Sequence, residues 1–348
     1  MRLGHLVLAS LLIPSPGRAD DGAASVAAGG LVLMKREPRI VMAREVLRIT
    51  PAKVVVDYDF RNDSDQDVTT TVAFPVPVYR FGEDETVAGD PAFRDFELFV
   101  DGEPKRFAVQ LRALAGNRDI TTAFAGSSVD IASFGHFDEK SAAYTQPVPD
   151  YIRASVAIRK RLTAVGAFAD GVPNWRVKKL YYWTQTFPAH GTVHIKHSYS
   201  PVFGGANSVR YGLEAEKEAA TKGSDLTAAV RGGESSCITP SLKDSLLKLS
   251  ERNDMSVPFN YVDFILTTAN TWKTPIEDFT LIVDRPTADK LIAEHLKSPQ
   301  PNKVLVSFCW NGPIEHPDPT RFTAHATNFV PAKELRVGFI YIDHVDPE

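Results

Sequence analysis

Lys53-Val54-Val55-Val56-Asp57-Tyr58-Asp59-Phe60-Arg61 leads into the polar run Asn62-Asp63-Ser64-Asp65-Gln66-Asp67 and then Val68-Thr69-Thr70-Thr71-Val72-Ala73-Phe74-Pro75-Val76-Pro77. In the first part Val54, Val56, Tyr58 and Phe60 fall on one face of an extended chain, with Lys53, Asp57, Asp59 and Arg61 on the other. In the last part Val68, Val72, Phe74 and Val76 oppose Thr69, Thr71 and Ala73. Side chains of a strand alternate between its two faces, so this period of two predicts strands with one face on a core. The polar turn between them predicts an antiparallel hairpin. Pro75 and Pro77 end the pairing, because proline offers no ladder donor.

The same style extends in both directions. Phe96, Leu98 and Val100, the turn Asp101-Gly102, and Phe107, Val109 and Leu111 read as a second hairpin. Tyr181, Trp183 and Phe187 share a face in Leu180–Phe187, and Val193, Ile195, His197 and Tyr199 share one in the next strand. Further strand candidates are Tyr261–Thr268, Phe279–Asp284, Lys303–Trp310, Phe322–Ala326 and Leu335–Ile342. About a dozen short strands without regularly interspersed helices predict a mainly β fold, an antiparallel β-sandwich. We expect two packed β modules with helical insertions. The expected divisions are a leader over 1–19, an N-terminal β module over 20–112, a loop and helical insert over 113–174, and a C-terminal β module over 175–348 with a helical insert near 212–256.

Helices enter as inserts. Tyr151–Val165 has Ile152, Val156 and Leu162 near helical spacing. Thr239-Pro240 places a capping hydroxyl before a first-turn proline, and Leu242, Leu246 and Leu249 then form a stripe. Leu213–Ala220, Asp225–Arg231 and a segment capped by Thr287 are weaker candidates. Glu83-Asp84-Glu85 reads as an acidic loop.

The 348 residues are 43% hydrophobic and 24% charged, which excludes disorder and collagen-like fibre. A net charge of −4 argues against nucleic acid as partner, since phosphate binding needs concentrated positive charge. The N-terminus is the clearest functional signal. Met1-Arg2, the apolar run Leu3–Ile13, the break Pro14-Ser15-Pro16 and the small-x-small site Gly17-Arg18-Ala19 make a secretory signal peptide, with cleavage expected between Ala19 and Asp20. No later apolar run approaches the ~20 residues that cross a bilayer, so no membrane span is expected in the mature chain. The expected location is the periplasm, with secretion to the medium as second choice. In such a compartment the two cysteines, Cys237 and Cys309, read as a disulfide in preference to two unrelated buried thiols.

Candidate chemistry is sparse. His190, His194 and His197 gather within eight residues, but on a strand His190 and His194 lie about 13 Å apart and His197 points the other way. A metal would need one of them to join distant ligands such as His316 or Asp318, so no metal and no cofactor are expected. Asp63, Asp65 and Asp67 have the odd spacing of a calcium loop, but Val68 stands where its glycine is needed and Phe74 where its glutamate is needed. Glu83, Asp84, Glu85 and Asp90 read more simply as polar surface than as a calcium clamp. Nucleophile elbows, HExxH, phosphate loops and dinucleotide fingerprints are missing, which lowers the expectation of an enzyme.

The most suggestive binding feature is aromatic. Tyr182 has the opposite parity to Tyr181 and Trp183 and is the ring expected on the surface. With Trp175 or Trp272 it could stack on a sugar or anchor a protein partner. Arg153, Arg159, Lys160 and Arg161 form a basic helix face, read as solvated or as a contact for anionic envelope lipid.

Several blocks together resemble a family of exported bacterial proteins known only as a domain of unknown function. They are Gly29-Gly30-Leu31-Val32-Leu33, Val56–Asn62, Asp67–Thr70, Ala73–Pro77, Thr184–Ala189, His197–Pro201, Leu266–Phe279, Val306–Trp310 and Asn328–Pro331. The resemblance implies a signal peptide, a largely β fold and an envelope address, and it brings no catalytic residues. The expected function is a non-enzymatic exported β-sandwich that binds an envelope protein or a glycan. The alternative is a secreted hydrolase built on His190 or His197 with scattered carboxylates.

Overall fold

A computed structural model of the chain describes residues 21–26, 32–80, 95–132, 137–138, 143–144, 148–201, 203–206, 237–252, 257, 259–285 and 303–342. The leader over 1–19, the acidic loop at 83–90, the weaker helices at 213–220 and 225–231, and the segment capped by Thr287 lie outside these residues.

In chain order the strands begin with β1 (Gly22–Val26), β2 (Val32–Met34), β3 (Ile40–Ile49), β4 (Val54–Asn62), β5 (Val68–Pro75) and β6 (Tyr79–Arg80). Next come β7 (Glu97–Val100), β8 (Glu103–Pro104), β9 (Ala108–Ala115), β10 (Arg118–Asp119), β11 (Phe137–Asp138) and β12 (Ala143–Tyr144). After helices α1 (Val148–Arg153) and α2 (Val156–Ala164) follow β13 (Phe168–Ala169), β14 (Val172–Pro173), β15 (Arg176–Phe187), β16 (Thr192–Tyr199) and β17 (Phe203–Ala206). Helix α3 (Pro240–Arg252) precedes β18 (Phe259–Phe264), β19 (Ile276–Asp284), β20 (Lys303–Phe308), β21 (Ile314–Asp318), β22 (Arg321–Phe329) and β23 (Leu335–Ile342).

Three sheets carry the fold. One runs β10-β9-β15-β5-β1-β2, with β6 also on β15; a second runs β21-β22-β19-β3-β4-β16-β7-β8; a third runs β17-β18-β23-β20. Their inward faces share one core. Phe60 and His197 of the second sheet meet Phe187 and Phe74 of the first at ring separations of 5.8 and 4.3 Å. Phe74 also reaches Phe264 of the third, 6.2 Å away. The mainly β sandwich read from alternation is therefore present; among the described strands one pair, β3 beside β19, is parallel and the others are antiparallel.

Two expectations are corrected. Strands β4 and β5 are not a hairpin. They lie in opposite sheets, and the 62–67 turn is an arch between the layers. Alternation toward a core looks the same either way, because both strands point their apolar faces inward. The arch is held by Asn62, fully buried, whose Nδ2 donates to the carbonyls of Gln66 and Phe187, both at 2.9 Å. Its Oδ1 accepts from Ser64 N and Oγ. Asn62→Ala is expected to cost about 2–3 kcal/mol, because each buried polar group left unpaired costs about 1–3 kcal/mol. A urea-unfolding loss below about 0.5 kcal/mol would contradict this role.

The second correction concerns modules. Residues 20–112 and 175–348 do not build separate cores. Strand β15 is central to the first sheet among strands from the N-terminal half, and β16 and β19 flank β3 and β4 in the second. A single cluster of buried residues runs from Ala23 to Tyr341. The Asp101-Gly102 turn is as expected: both residues have positive φ, 51° and 84°, which suits a tight hairpin between β7 and β8. The strand at 107–111, however, becomes β9 of the other sheet.

Among the helices, α3 follows its capping signal, with Leu242 N donating to Thr239 Oγ1 at 3.3 Å. Leu246 packs with Phe259 and Ile340 on the outer side of the third sheet. The helix expected over Tyr151–Val165 breaks in two. Ser155 is extended (φ −60°, ψ 154°) and its side chain accepts from Ile158 N, so it starts a new helix instead of continuing the first.

Candidate functional site

The outward face of the second sheet is the most organised polar surface among the described residues. On β4, Val55, Asp57, Asp59 and Arg61 alternate outward while Val54, Val56, Tyr58 and Phe60 are sealed in the core. Register places His194 beside Asp59 and Lys196 beside Asp57 on β16, and Arg44 beside Asp59 on β3. The result is a ladder of charge across three strands. Arg44 Nε lies 2.6 Å from Asp59, and the two ring nitrogens of His194 lie 2.8 Å from Asp59 and 3.3 Å from Asp57. Lys196 Nζ lies 3.7 Å from Asp57. Partial burial works against the Asp59 charge, but the Arg44 and His194 hydrogen bonds outweigh it and hold its carboxyl below the usual range.

Beside this ladder a groove of about 420 Å³ is lined by Val46, Val55, Phe99, Ile282, Ser198 and a charged rim. The rim consists of Arg48, Lys53, Lys196, Asp57 and Glu97. Arg48 pairs with Asp284 at 2.6 Å, Lys53 with Glu97 at 3.4 Å, and Ser198 Oγ donates to Glu97 at 3.0 Å. An apolar floor inside a rim of both charge signs suits recognition of a polar, charge-bearing surface. Sequence reading missed the groove because its residues come from β3, β4, β7, β16 and β19, which only the sheet order brings side by side. The visible signal was the run of charges at the outward positions of Lys53–Arg61.

The residues singled out from sequence scatter. Trp175 and Trp272 are 0% and 1% exposed, which corrects their reading as stacking rings. Trp175 Nε1 donates to Ile131 O at 3.0 Å and Trp272 Nε1 to Asp21 O at 2.6 Å, so each indole is fixed in the core at both ends. Tyr182 is half-buried on the outer face of the first sheet beside Leu180, Ala73 and Ala24, while Tyr181, Trp183 and Phe187 point into the core. The three rings therefore do not form one site.

The histidines also separate. His190 is exposed and meets Asp65 at 2.9 Å; His194 joins the charge ladder; His197 is wholly buried, its Nε2 3.3 Å from Asp21 Oδ1. Enclosed in this way, His197 cannot reach a substrate. Asp63 pairs with Arg61 and Lys273, and Asp67 accepts from Ala189 N, so the three aspartates point to different partners. His316 stacks edge-on with Phe322, and Asp318 caps Thr320. Among the described residues no three His, Cys, Asp or Glu side chains gather where a metal could be held. Cys237 and Cys309 form a disulfide.

No helix among the described residues is long and apolar enough to cross a membrane. No curated protein matches the chain. Among solved structures, a candidate nutrient-binding protein from Legionella pneumophila subsp. pneumophila is similar at 16% identity and a TM-score of 0.39. The match covers 87% of this chain and 68% of that one. A family model described as a domain of unknown function, DUF4424, matches residues 19–337, and the chain belongs to that family.

Proposed function

We propose that the chain is an exported, non-enzymatic binding module of the bacterial envelope, and that a protein partner docks on the groove of the second sheet. The signal-like segment at 1–19 supports export to the periplasm or beyond. The observation that carries the binding reading is the groove itself: Val46, Val55, Phe99 and Ile282 ringed by Arg48, Lys53, Lys196, Asp57 and Glu97. Rim charges of both signs steer and orient a partner of complementary charge. A glycan is the weaker choice of ligand, because Trp175 and Trp272 are buried and, among the described residues, Phe99 is the one ring lining the groove.

The test is crosslinking of the tagged mature chain in cells. A specific protein should be captured, and Lys53→Glu with Lys196→Glu should weaken it by about tenfold or more, equivalent to ~1.4 kcal/mol. Both side chains are nearly half exposed, so the like-charge contacts that the double variant creates with Glu97 and Asp57 should lower its unfolding temperature only slightly. Capture of nothing, or unchanged capture by the double variant, overturns the groove as the docking site.

A further inference from the structure

Spacing alone groups Ile152 and Val156 with Leu162 on one helix face, yet their surroundings differ completely. Leu162 is 0% exposed, whereas Ile152 is 62% and Val156 72% exposed. The break at Ser155 causes this. Tyr151, Ile158 and Leu162 turn inward onto the core, and the two remaining aliphatics are left on the outside of the α1–α2 corner.

The corner is firmly built. Arg159 Nη1 donates to the carbonyls of Ile152 at 2.7 Å and Ala154 at 2.5 Å, closing the end of α1. Arg161 donates to Ala123 O and Ala125 O, which anchors α2 to the short 3₁₀ turn Thr121–Phe124. Arg118 Nη2 reaches Val165 O at 2.7 Å. Bonds to neutral carbonyls fix these guanidinium groups, and none of the three is ion-paired to a carboxylate among the described residues. Lys160 stands exposed on the same helix. The stretch 148–166 contains one carboxylate, Asp150, spent on Arg153 at 2.8 Å. A chain of net charge −4 thus places Arg153, Arg159 and Lys160 on the two short helices that carry the exposed Ile152 and Val156, with Arg161 anchored to the 3₁₀ turn and Arg118 at the far end of α2.

We propose that the α1–α2 corner docks on the surface of an anionic phospholipid bilayer, with Ile152 and Val156 entering the headgroup layer and the cations facing phosphate. Charge complementarity selects the partner: cations flanking a small apolar tip match an anionic interface, and neither part alone gives stable binding. This inference is independent of the groove.

The experiment is flotation of the full mature chain with vesicles of phosphatidylglycerol and phosphatidylcholine against vesicles of phosphatidylcholine alone. Binding is expected to the anionic vesicles only, and to weaken as salt screens the charges. Ile152→Ser with Val156→Ser, and separately Lys160→Glu, should each reduce it about fivefold or more, since one basic residue near such a surface contributes about that factor. Val330→Ser, at an aliphatic 58% exposed elsewhere, should change nothing. All these positions are exposed, so unfolding temperatures should match the parent and separate lost binding from lost fold. Equal binding to both vesicle types, no binding to either, or unaltered binding by the corner variants would each overturn the proposal.

Discussion

His197→Ala is expected to lower the free energy of unfolding by about 3–5 kcal/mol, the range for truncating a large, fully buried ring. The ring is wholly enclosed, 4.3 Å from Phe74 and 5.4 Å from both Tyr58 and Phe96, so truncation opens a cavity among aromatic neighbours. It also takes the imidazole away from the Asp21 carboxyl group 3.3 Å distant. Asp21 in turn is stitched into the core by its backbone: its N–H faces Tyr58 Oη at 3.4 Å and its carbonyl accepts from Trp272. Two residues on, Ala23 N donates to Thr271 Oγ1. Loss of His197 should therefore loosen β1, the strand that joins β5 to β2. Urea unfolding measures the total, and hydrogen exchange in Gly22–Val26 reads the local part. A loss under about 1 kcal/mol would mean that the pair is a minor element of the core.

The same site has a pH signature whose sign is fixed by Asp21. Burial raises its carboxyl above the ordinary value, against the opposing pull of His197. The native state then holds this proton more tightly than the unfolded chain does. Stability from this group is present at low pH and is lost as pH rises from the unfolded value, about 4, through the raised native one. Asp59, Glu37 and Glu277 have lowered values and act in the opposite direction. Comparison with Asp21→Asn cancels those contributions. The stability of the parent relative to this variant should fall as pH increases across that window, and a constant difference would contradict the assignment.

These two residues also show what was legible in the sequence. Alternation correctly put His197 on the inner face with Val193, Ile195 and Tyr199, and put His194 on the outer one. It could not supply Asp21, because the partner lies 176 positions earlier and only the sheet order joins them. Strand β3, the centre of the second sheet, escaped notice for a local reason. A bulge between Met42 and Arg44 shifts the phase, so Ile40 and Met42 point inward, as do Glu45, Leu47 and Ile49, although the two sets differ in parity. An inward glutamate obscures the pattern further. At the arches, the sequence features that mark a hairpin are also those of a layer crossing. Polar turn residues after Phe60 and the Pro188–Gly191 turn after Phe187 end a strand in either case, and the long-range partner of the next strand decides which it is. The groove depends on five strands and inherits all of this uncertainty of order, whereas the disulfide needed only the count of two cysteines and an expected compartment.

That disulfide supports the second large effect. Replacing both cysteines with serine is expected to cost about 4 kcal/mol, because Cys237 and Cys309 close a loop across a sequence separation of 72. Cys237 stands just before α3 and Cys309 just after β20, so the bond holds the start of the helix to an edge of the third sheet. A 13-residue helix is marginal on its own, and α3 depends on the contact of Leu246 with Phe259 and Ile340. Without the bond, hydrogen exchange should therefore rise first in Pro240–Arg252, while β3 and β4, paired on both sides within the second sheet, keep their protection. Urea unfolding with and without reductant gives the global number. Identical midpoints in the two conditions would show that the bond contributes nothing. The expected gap has a cellular consequence: a chain synthesised without residues 1–19 in a reducing cytosol should carry free thiols and accumulate as the less stable form. The oxidised form should appear only when those residues direct it out. A fully oxidised cytosolic product would separate the disulfide from export and remove the bond as support for an envelope address.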